Sequence, residues 1–478
     1  MENLNKLTPK NIEDILAVTP MQASMLFHYF SQPESGIYHE QICYKLKGKI
    51  QSEYLKTAWN FVARNNEMLR TVFRWDGIRF PVQIILKEHI IPFKEYDLSD
   101  LNDEERQIQI ENIRLEDRKK RVDIVAEPFR VILCRLTECE YEMIVNTHHV
   151  LYDGWSNAII IKELVKAYDM YINNREPVSE VKTKYKELVR WYQKQDKKKQ
   201  QGFWKEYMKD YAVRPMMDGE NNGYTEEENP KEYSYVLDEA LERQIYEYVR
   251  NNEVTIAALV YTSWGIILSK YNGYKDVAFG ITMSGRTVEI KNVESIVGLF
   301  INTLPLRIRI NPGNKIKKLI KEVNNQTMIF EEYIGTPITD IRNYISVYGE
   351  SQLFDTLVVV QNYPVDQKIQ NSNDSLSISY KFSYHLTNFK LSLSVKTFKG
   401  IQLDFSYKKA DFCREKIEDI CHQFIAILSL IVFDRSDEMG IDHVSIFSNE
   451  EIENTLSKIH ITIDSLNIIE GVNFDEIF

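Results

Sequence analysis

The strongest constraint on this chain is that a mixed pattern of helices and strands occurs twice, on either side of one long polar break. The break, residues 216–232, holds Gly219, Gly223, Pro230, three Asn and an acidic run, a composition that favours loop over regular structure. A chain of 478 residues is too long for one ordinary core, so two or three lobes are expected. In the first half the spacing predicts a helix over 20–30 capped by Thr19, a helix over 53–64 between segments 41–46 and 67–75, and a strand over 142–147. Ile160, Leu164, Ala167 and Tyr168 then recur at helical spacing over 156–171, with Ser156 as the expected cap, and 185–199 reads as a polar helix. After the break, helices are expected at 252–271 and 414–433, and strands at 276–282, 303–310, 357–361 and 391–395.

Several function classes lose support early. The formal net charge is -11, and the short basic run Lys197-Lys198-Lys199 reads as a solvated helix face, so nucleic-acid binding is not expected. The most apolar segment, 424–433, is ten residues long and contains Ser429, which suits a buried helix and not a membrane span. The first residues do not read as a signal peptide, so a cytoplasmic location is expected. Cys43, Cys134, Cys139, Cys413 and Cys421 show no CxxC spacing and no zinc-like Cys/His cluster; they read as reduced thiols, with no metal site. Phosphate-binding glycine loops and a GxSxG elbow are missing from the sequence.

The chemistry concentrates in His148-His149-Val150-Leu151-Tyr152-Asp153-Gly154. Adjacent side chains of an extended segment point to opposite faces, so only one of the two His can face a given cavity. A neutral imidazole can take a proton near neutral pH. Asp153, if buried, needs a cationic or hydrogen-bonding partner. Gly154 permits a tight turn, and the helix that follows presents N–H groups that favour developing negative charge.

His-His-x-x-x-Asp-Gly resembles the motif of the condensation domains of nonribosomal peptide synthetases, within the chloramphenicol acetyltransferase-like superfamily. Further segments resemble that family in the same order: Thr19-Pro20-Met21-Gln22 with Met25-Leu26-Phe27-His28, and Asn66 to Phe73 with its Leu69-Arg70-Thr71. They continue with Tyr185 to Trp191, Phe203-Trp204-Lys205-Glu206-Tyr207, Ser284-Gly285-Arg286, Val297 to Thr303, Leu353 to Leu357, and Gln361-Asn362-Tyr363-Pro364. The resemblance covers roughly residues 10 to 450. Heterocyclisation domains carry Asp in place of the two His; this chain does not. Epimerisation domains share the two His but differ in the other motifs.

The resemblance implies an α/β (α+β) fold of two chloramphenicol acetyltransferase-like lobes in a V around a central tunnel. The expected division is 1–180 for the first lobe, 181–232 for connecting helices and loop, 233–448 for the second lobe, and 449–478 for a linker or docking tail. It implies that donor and acceptor peptidyl carrier proteins dock at opposite mouths and insert phosphopantetheine arms, with adenylation domains as neighbours and no cofactor bound by the chain itself. His149 is then the catalytic residue, as base or as positioner of the amine, and Gly154 places its N–H near the reacting centre. Asp153 pairs with Arg286, and His148 is structural. Trp155 and Ser156 are candidates for the acceptor side, with helix start as their plainer role. Asn302 is a candidate at the tunnel floor, with packing as its plainer role. A donor of L configuration is expected from the opening and Leu-Arg-Thr motifs, and a monomeric domain. A non-catalytic recruiting module of the same fold and a stand-alone CoA-dependent acyltransferase are the competing readings. The tail run Ile463-Asp464-Ser465-Leu466 locally resembles a phosphopantetheine site, but it lies in a stretch shorter than the roughly 70–80 residues of a carrier bundle.

Overall fold

A computed structural model describes residues 7–32, 35–214, 217, 231–311, 313–346, 352–361, 368–370, 376–398, 400–433, 440–441 and 444. Most of the expected crossing at 216–232, residues 362–364 of the Gln361 run, and the tail with Ser465 lie outside the described residues.

The first six-stranded sheet runs in the order Lys368–Gln370, Ser377–His385, His39–Lys47, Glu140–His148, Phe129–Arg135, Phe93–Asp97. Its three central strands, His39–Lys47, Phe129–Arg135 and Glu140–His148, are buried on both faces. Ile42, Tyr44, Leu46, Val131, Leu133, Met143 and Val145 enter the first core beside the helices Ser52–Asn65 and Gly154–Ile172. The alternate residues Cys43, Ile132, Cys134 and Ile144 turn the other way, beneath Ile110 and Ile113 of the helix Asp103–Lys119. Burial pushes the Cys43 and Cys134 thiols up to about 12, and does the same to Cys421 in the second core. These three are therefore protonated and inert.

The second six-stranded sheet runs Asn302–Arg309, Asp276–Met283, Thr356–Gln361, Leu391–Lys396, Gln402–Tyr407, Lys231–Val236. Here strict alternation separates two environments. Leu391, Leu393, Val395, Leu403 and Phe405 pack into the second core with the helices Ile256–Asn272 and Arg414–Phe433. Ser392, Ser394, Lys396, Asp404 and Ser406 line a cavity of ≈ 1870 Å³ that also takes walls from the first half. A small third sheet, Ile12–Ala17, Val82–Leu86 and Thr71–Arg74, completes the strands.

The two halves share structure. Strand Ser377–His385 belongs by sequence to the second half, yet it pairs antiparallel with His39–Lys47, Ile378 opposite Leu46. Val297, Leu299 and Phe300 also pack in the first core. The reach of these segments is a matter of long-range pairing, which local periodicity does not encode.

Two local expectations change. The helix expected over 185–199 is two helices, Lys186–Gln193 and Lys197–Tyr207, because Asp196 accepts from the N–H groups of Lys198 and Lys199 and starts the second. The helix expected from Ser156 starts at Gly154, with Asp153 as its cap, accepting from the Ser156 N–H. An ionised carboxylate earlier in the turn out-competes the Ser hydroxyl for that role. Among the described residues no single helix is long and apolar enough to cross a membrane.

Ile378 is 2% exposed, so Ile378→Ala should lower stability by about 2–5 kcal/mol. Denaturant unfolding checks this, and the loss should appear equally in probes reporting on either half. An unchanged midpoint would show that the shared strand contributes nothing to the first core.

Candidate active site

The His motif sits where the strand Glu140–His148 leaves the first sheet. The backbone there is pinned from three sides. The His149 N–H donates to the Tyr38 carbonyl at 2.8 Å, and the Leu151 N–H donates to the His148 carbonyl at 3.0 Å. Fully buried Gln22, in the capped first turn of helix Pro20–Ser31, donates its Nε2 to the Val150 carbonyl at 3.0 Å. The opening Thr19-Pro20-Met21-Gln22 segment thus braces the motif's turn.

The two imidazoles are held in opposite tautomers. His149 Nδ1 lies 3.0 Å from the Tyr152 carbonyl oxygen. A carbonyl only accepts, so Nδ1 carries the hydrogen, and the neutral ring keeps a lone pair on Nε2. His149 lines the cavity. His148 instead accepts the Val150 N–H at Nδ1, 3.1 Å. It is 2% exposed, with its edge against Tyr29 at 5.5 Å. Burial, aided by neighbouring His149, holds its pKa well below the usual imidazole range. One His faces the open space as an acceptor and the other is a neutral packing group.

Asp153 is 1% exposed and accepts four donors. Oδ1 takes the Ser156 N–H at 3.0 Å, the Ser156 hydroxyl at 2.8 Å and Arg286 Nη2 at 3.0 Å, while Oδ2 takes the Phe300 N–H at 3.0 Å. Arg286 also donates Nη1 to the carbonyls of Val293 and Ile296, at 2.8 and 3.0 Å, and lies over the Phe300 ring at 4.3 Å. Gly285 makes this approach possible. Its φ is +63°, and a Cβ there would sit 2.1 Å from the Phe300 carbonyl oxygen.

The remaining predicted residues divide. Gly154 lines the cavity as the first residue of its helix, with ordinary negative φ; its value lies in leaving the helix N-terminus uncovered, not in a left-handed turn. Trp155 lines the cavity and donates Nε1 to the Glu294 carbonyl at 3.0 Å. Ser156 does not reach it. Ser156 is fully buried, and its hydroxyl accepts from Arg286 Nη2 and from the Gly298 N–H. Asn302 is likewise outside the lining: its Nδ2 donates to the Ile334 and Thr336 carbonyls at 2.6 and 2.9 Å, a packing role. Among the described residues no group of three His, Cys, Asp or Glu could hold a metal ion.

A family model for the condensation domain matches residues 12–454. The chain belongs to the condensation domain family. Condensation domains are amide-bond-forming acyltransferases, and this chain is an enzyme of that class; as a family they act on substrates tethered to carrier-protein phosphopantetheine. Gramicidin S synthase 2 of Brevibacillus brevis is 28% identical over 467 residues, 95% of this chain and 10% of that protein. Tyrocidine synthase 2 of Brevibacillus parabrevis is 27% identical over 423 residues, 87% of this chain and 12% of that protein. The condensation domain therefore spans a small part of the length of these relatives.

Two solved structures show the same fold. A variant of the starter condensation domain of rhizomide synthetase, in complex with C8-CoA and Leu-SNAC, matches with TM-score 0.76 and 17% identity over 91% of this chain and 98% of that one. A four-domain nonribosomal peptide synthetase bound to AMP and glycine matches with TM-score 0.79 and 16% identity over 95% of this chain and 35% of that one. The condensation domain thus has the two-lobed chloramphenicol acetyltransferase-like architecture expected from its motifs.

Among the ionisable residues of the cavity wall that sequence reasoning missed are Glu40 and His385. The strand carrying Glu40 begins at His39, two residues before the segment 41–46 marked out in the sequence. The signal available was an acid two residues before Ile42 and four before Tyr44, on the same face of an alternating strand. The strand Ser377–His385 is absent from the expected elements, and nothing local pairs it with its distant partner.

Asp153→Ala should lower stability by about 3–5 kcal/mol, because it leaves the Arg286 guanidinium buried and uncompensated. Both side chains are nearly inaccessible, at 1% and 4% exposure. A melting temperature equal to that of the wild type, alongside lost activity, would assign Asp153 a chemical and not a structural role.

Proposed function

We propose that this condensation domain joins a carrier-bound aminoacyl or peptidyl thioester donor to a carrier-bound aminoacyl acceptor in nonribosomal peptide synthesis, with an L-configured donor. The observation that carries the reading is the tautomer of His149: its Nδ1 hydrogen is committed to the Tyr152 carbonyl, which leaves Nε2 as an acceptor on a residue of the cavity wall. A docking module without chemistry has no physical need for such a group. The acceptor nitrogen attacks the thioester carbon, the C–N bond forms and the C–S bond breaks. Nε2 takes the proton that the nitrogen sheds and returns it to the departing thiolate. Gly154, at the cavity-lining start of its helix, favours the negative charge that develops on the carbonyl oxygen. Asp153 and Arg286 hold the turn that presents His149.

In this reading the lobes are 1–180 and 233–448 with 181–232 between them, the carriers enter from opposite mouths of the cavity, and adenylation domains are neighbours in a longer assembly. The CoA-dependent alternative draws support from the structural neighbour that holds C8-CoA. Activity with acyl-CoA in place of a loaded donor carrier would favour that alternative.

His149→Ala should cut dipeptidyl-carrier formation roughly 10²- to 10⁴-fold, the usual contribution of a positioned base, with the melting temperature nearly unchanged. His148→Ala should lose stability more than rate, since it removes a buried group. Single-turnover transfer between loaded carriers, with melting curves for both variants, checks this. A folded His149→Ala protein of near wild-type rate would overturn the assignment. For the donor, parallel assays with L- and D-aminoacyl carriers should favour the L form; equal use of both would overturn the stereochemical reading.

A further inference from the structure

Glu40 has no role in the scheme above, yet its surroundings are unusual for a carboxyl group. It lies in the strand His39–Lys47, directly opposite Thr147 on one neighbouring strand and His385 on the other. Glu40, His149 and His385 all line the cavity. Glu40 is 9% exposed, and its Oε2 is buried without a hydrogen-bond partner. A carboxylate left this way is costly to keep in a fold, so a fold that needed only packing there has cheaper choices.

Among the described residues, the charged groups that act on it are His149 and Asp153; Lys396 and Asp404 line the same cavity and act on neighbouring His385. Asp153 interacts with it as a like charge, and the Arg286 guanidinium is occupied by Asp153 and by backbone carbonyls. Tyr152 also faces it, its hydroxyl kept protonated by burial. His385 is held neutral at pH 7, its pKa brought down to about 4 by burial. His149 is the remaining partner, and its charge would favour the carboxylate. Burial outweighs that attraction and raises the Glu40 pKa above the usual carboxylate range.

The reaction demands such a group. An α-amino group has a pKa of about 7.7–8.0, so near neutral pH it is mostly ammonium and has no lone pair. Converting that ammonium to an amide sheds two protons in succession, and His149 can account for only the second. We propose that Glu40 takes the first, drawing the proton from the acceptor's α-ammonium as it enters the cavity; this rests on the reading above that a carrier-borne amine is the nucleophile. An N–H bond of the ammonium breaks, its proton passes to the Glu40 carboxylate, and the free amine attacks the thioester. The second proton moves to His149 and on to the leaving thiolate, giving the thiol. Glu40 then returns its proton to water in the cavity.

The test is the pH profile of single-turnover transfer between pH 6 and 9 for wild type, Glu40→Gln and Glu40→Asp, using the donor and acceptor carrier pair that the wild type condenses. Glu40→Gln should be about tenfold slower at pH 7, where about one amine in ten is unprotonated. Its rate should rise about tenfold per pH unit below the amine pKa and converge with the wild type near pH 9. Glu40→Asp, which keeps a carboxyl, should retain the flatter wild-type profile. The melting temperature of Glu40→Gln at pH 8 should be no lower than that of the wild type, because the substitution removes a carboxylate whose ionisation is harder in the folded than in the unfolded state. Parallel profiles for Glu40→Gln and wild type, whether from a uniform loss or from none, would overturn the role of Glu40 while leaving the condensation reading intact. A wild type that forms no dipeptidyl product with any loaded pair would overturn both.

Discussion

The carboxylate of Asp153 is the point at which the two halves of the molecule hold each other. Four donors converge on it: the N–H and hydroxyl of Ser156 from the helix it caps, Arg286 Nη2, and the N–H of Phe300. The first pair belongs to the first half and the second pair to the second. A single buried charge therefore sets the start of the helix Gly154–Ile172, the turn through Tyr152 whose carbonyl fixes the His149 tautomer, and the seating of the segment Val297–Phe300 in the first core. Because the charge is fully compensated, its burial is tolerable; with any one partner removed, the others are left desolvated.

That arrangement explains why the motif's residues, though adjacent, have unlike fates. His148 ends a strand and is committed to packing, its Nδ1 accepting from the Val150 N–H. His149 begins the turn and faces the cavity. Ser156, in the first turn of the helix, is drawn inward by the carboxylate and Arg286, whereas Trp155, with the Arg286 guanidinium over its ring at 5.5 Å, reaches the cavity wall. The cavity has contrasting walls for a related reason. The second sheet has a core on one face only, so its strands Leu391–Lys396 and Gln402–Tyr407 alternate apolar and polar residues. The central strands of the first sheet are buried on both faces, and they carry buried polar side chains among the apolar ones, Gln41, Glu142 and Asn146 turned from the first core and Glu40 on the cavity wall.

Much of this is legible in the chain. The helix Arg414–Phe433 has the bounds its periodicity predicts, and strands such as Asp276–Met283 and Leu391–Lys396 match their expected bounds to within a residue or two, because apolar periodicity and capping residues act locally. The shift of the helix cap from Ser156 to Asp153 shows the limit of that reasoning. Both residues are good caps, and the choice depends on a carboxylate that also has distant donors to satisfy. The break within 185–199 is within reach of the sequence, since Asp196 is a strong cap, but the helical composition on both sides masks it.

What the sequence by itself determined is the inventory of elements, the two-fold recurrence of mixed structure, and the family, since these rest on local propensity and on motifs of adjacent or nearby residues. What only the tertiary structure decided is which side chains meet. The exchange of Ser377–His385 into the first sheet brings His385 beside Glu40, far away in the chain. The hydrogen bond to the Tyr152 carbonyl selects the His149 tautomer. The first outcome depends on strand register between distant segments that carry no local trace of one another; the second joins residues three apart, but the turn that brings them together is held by Asp153 and its distant donors.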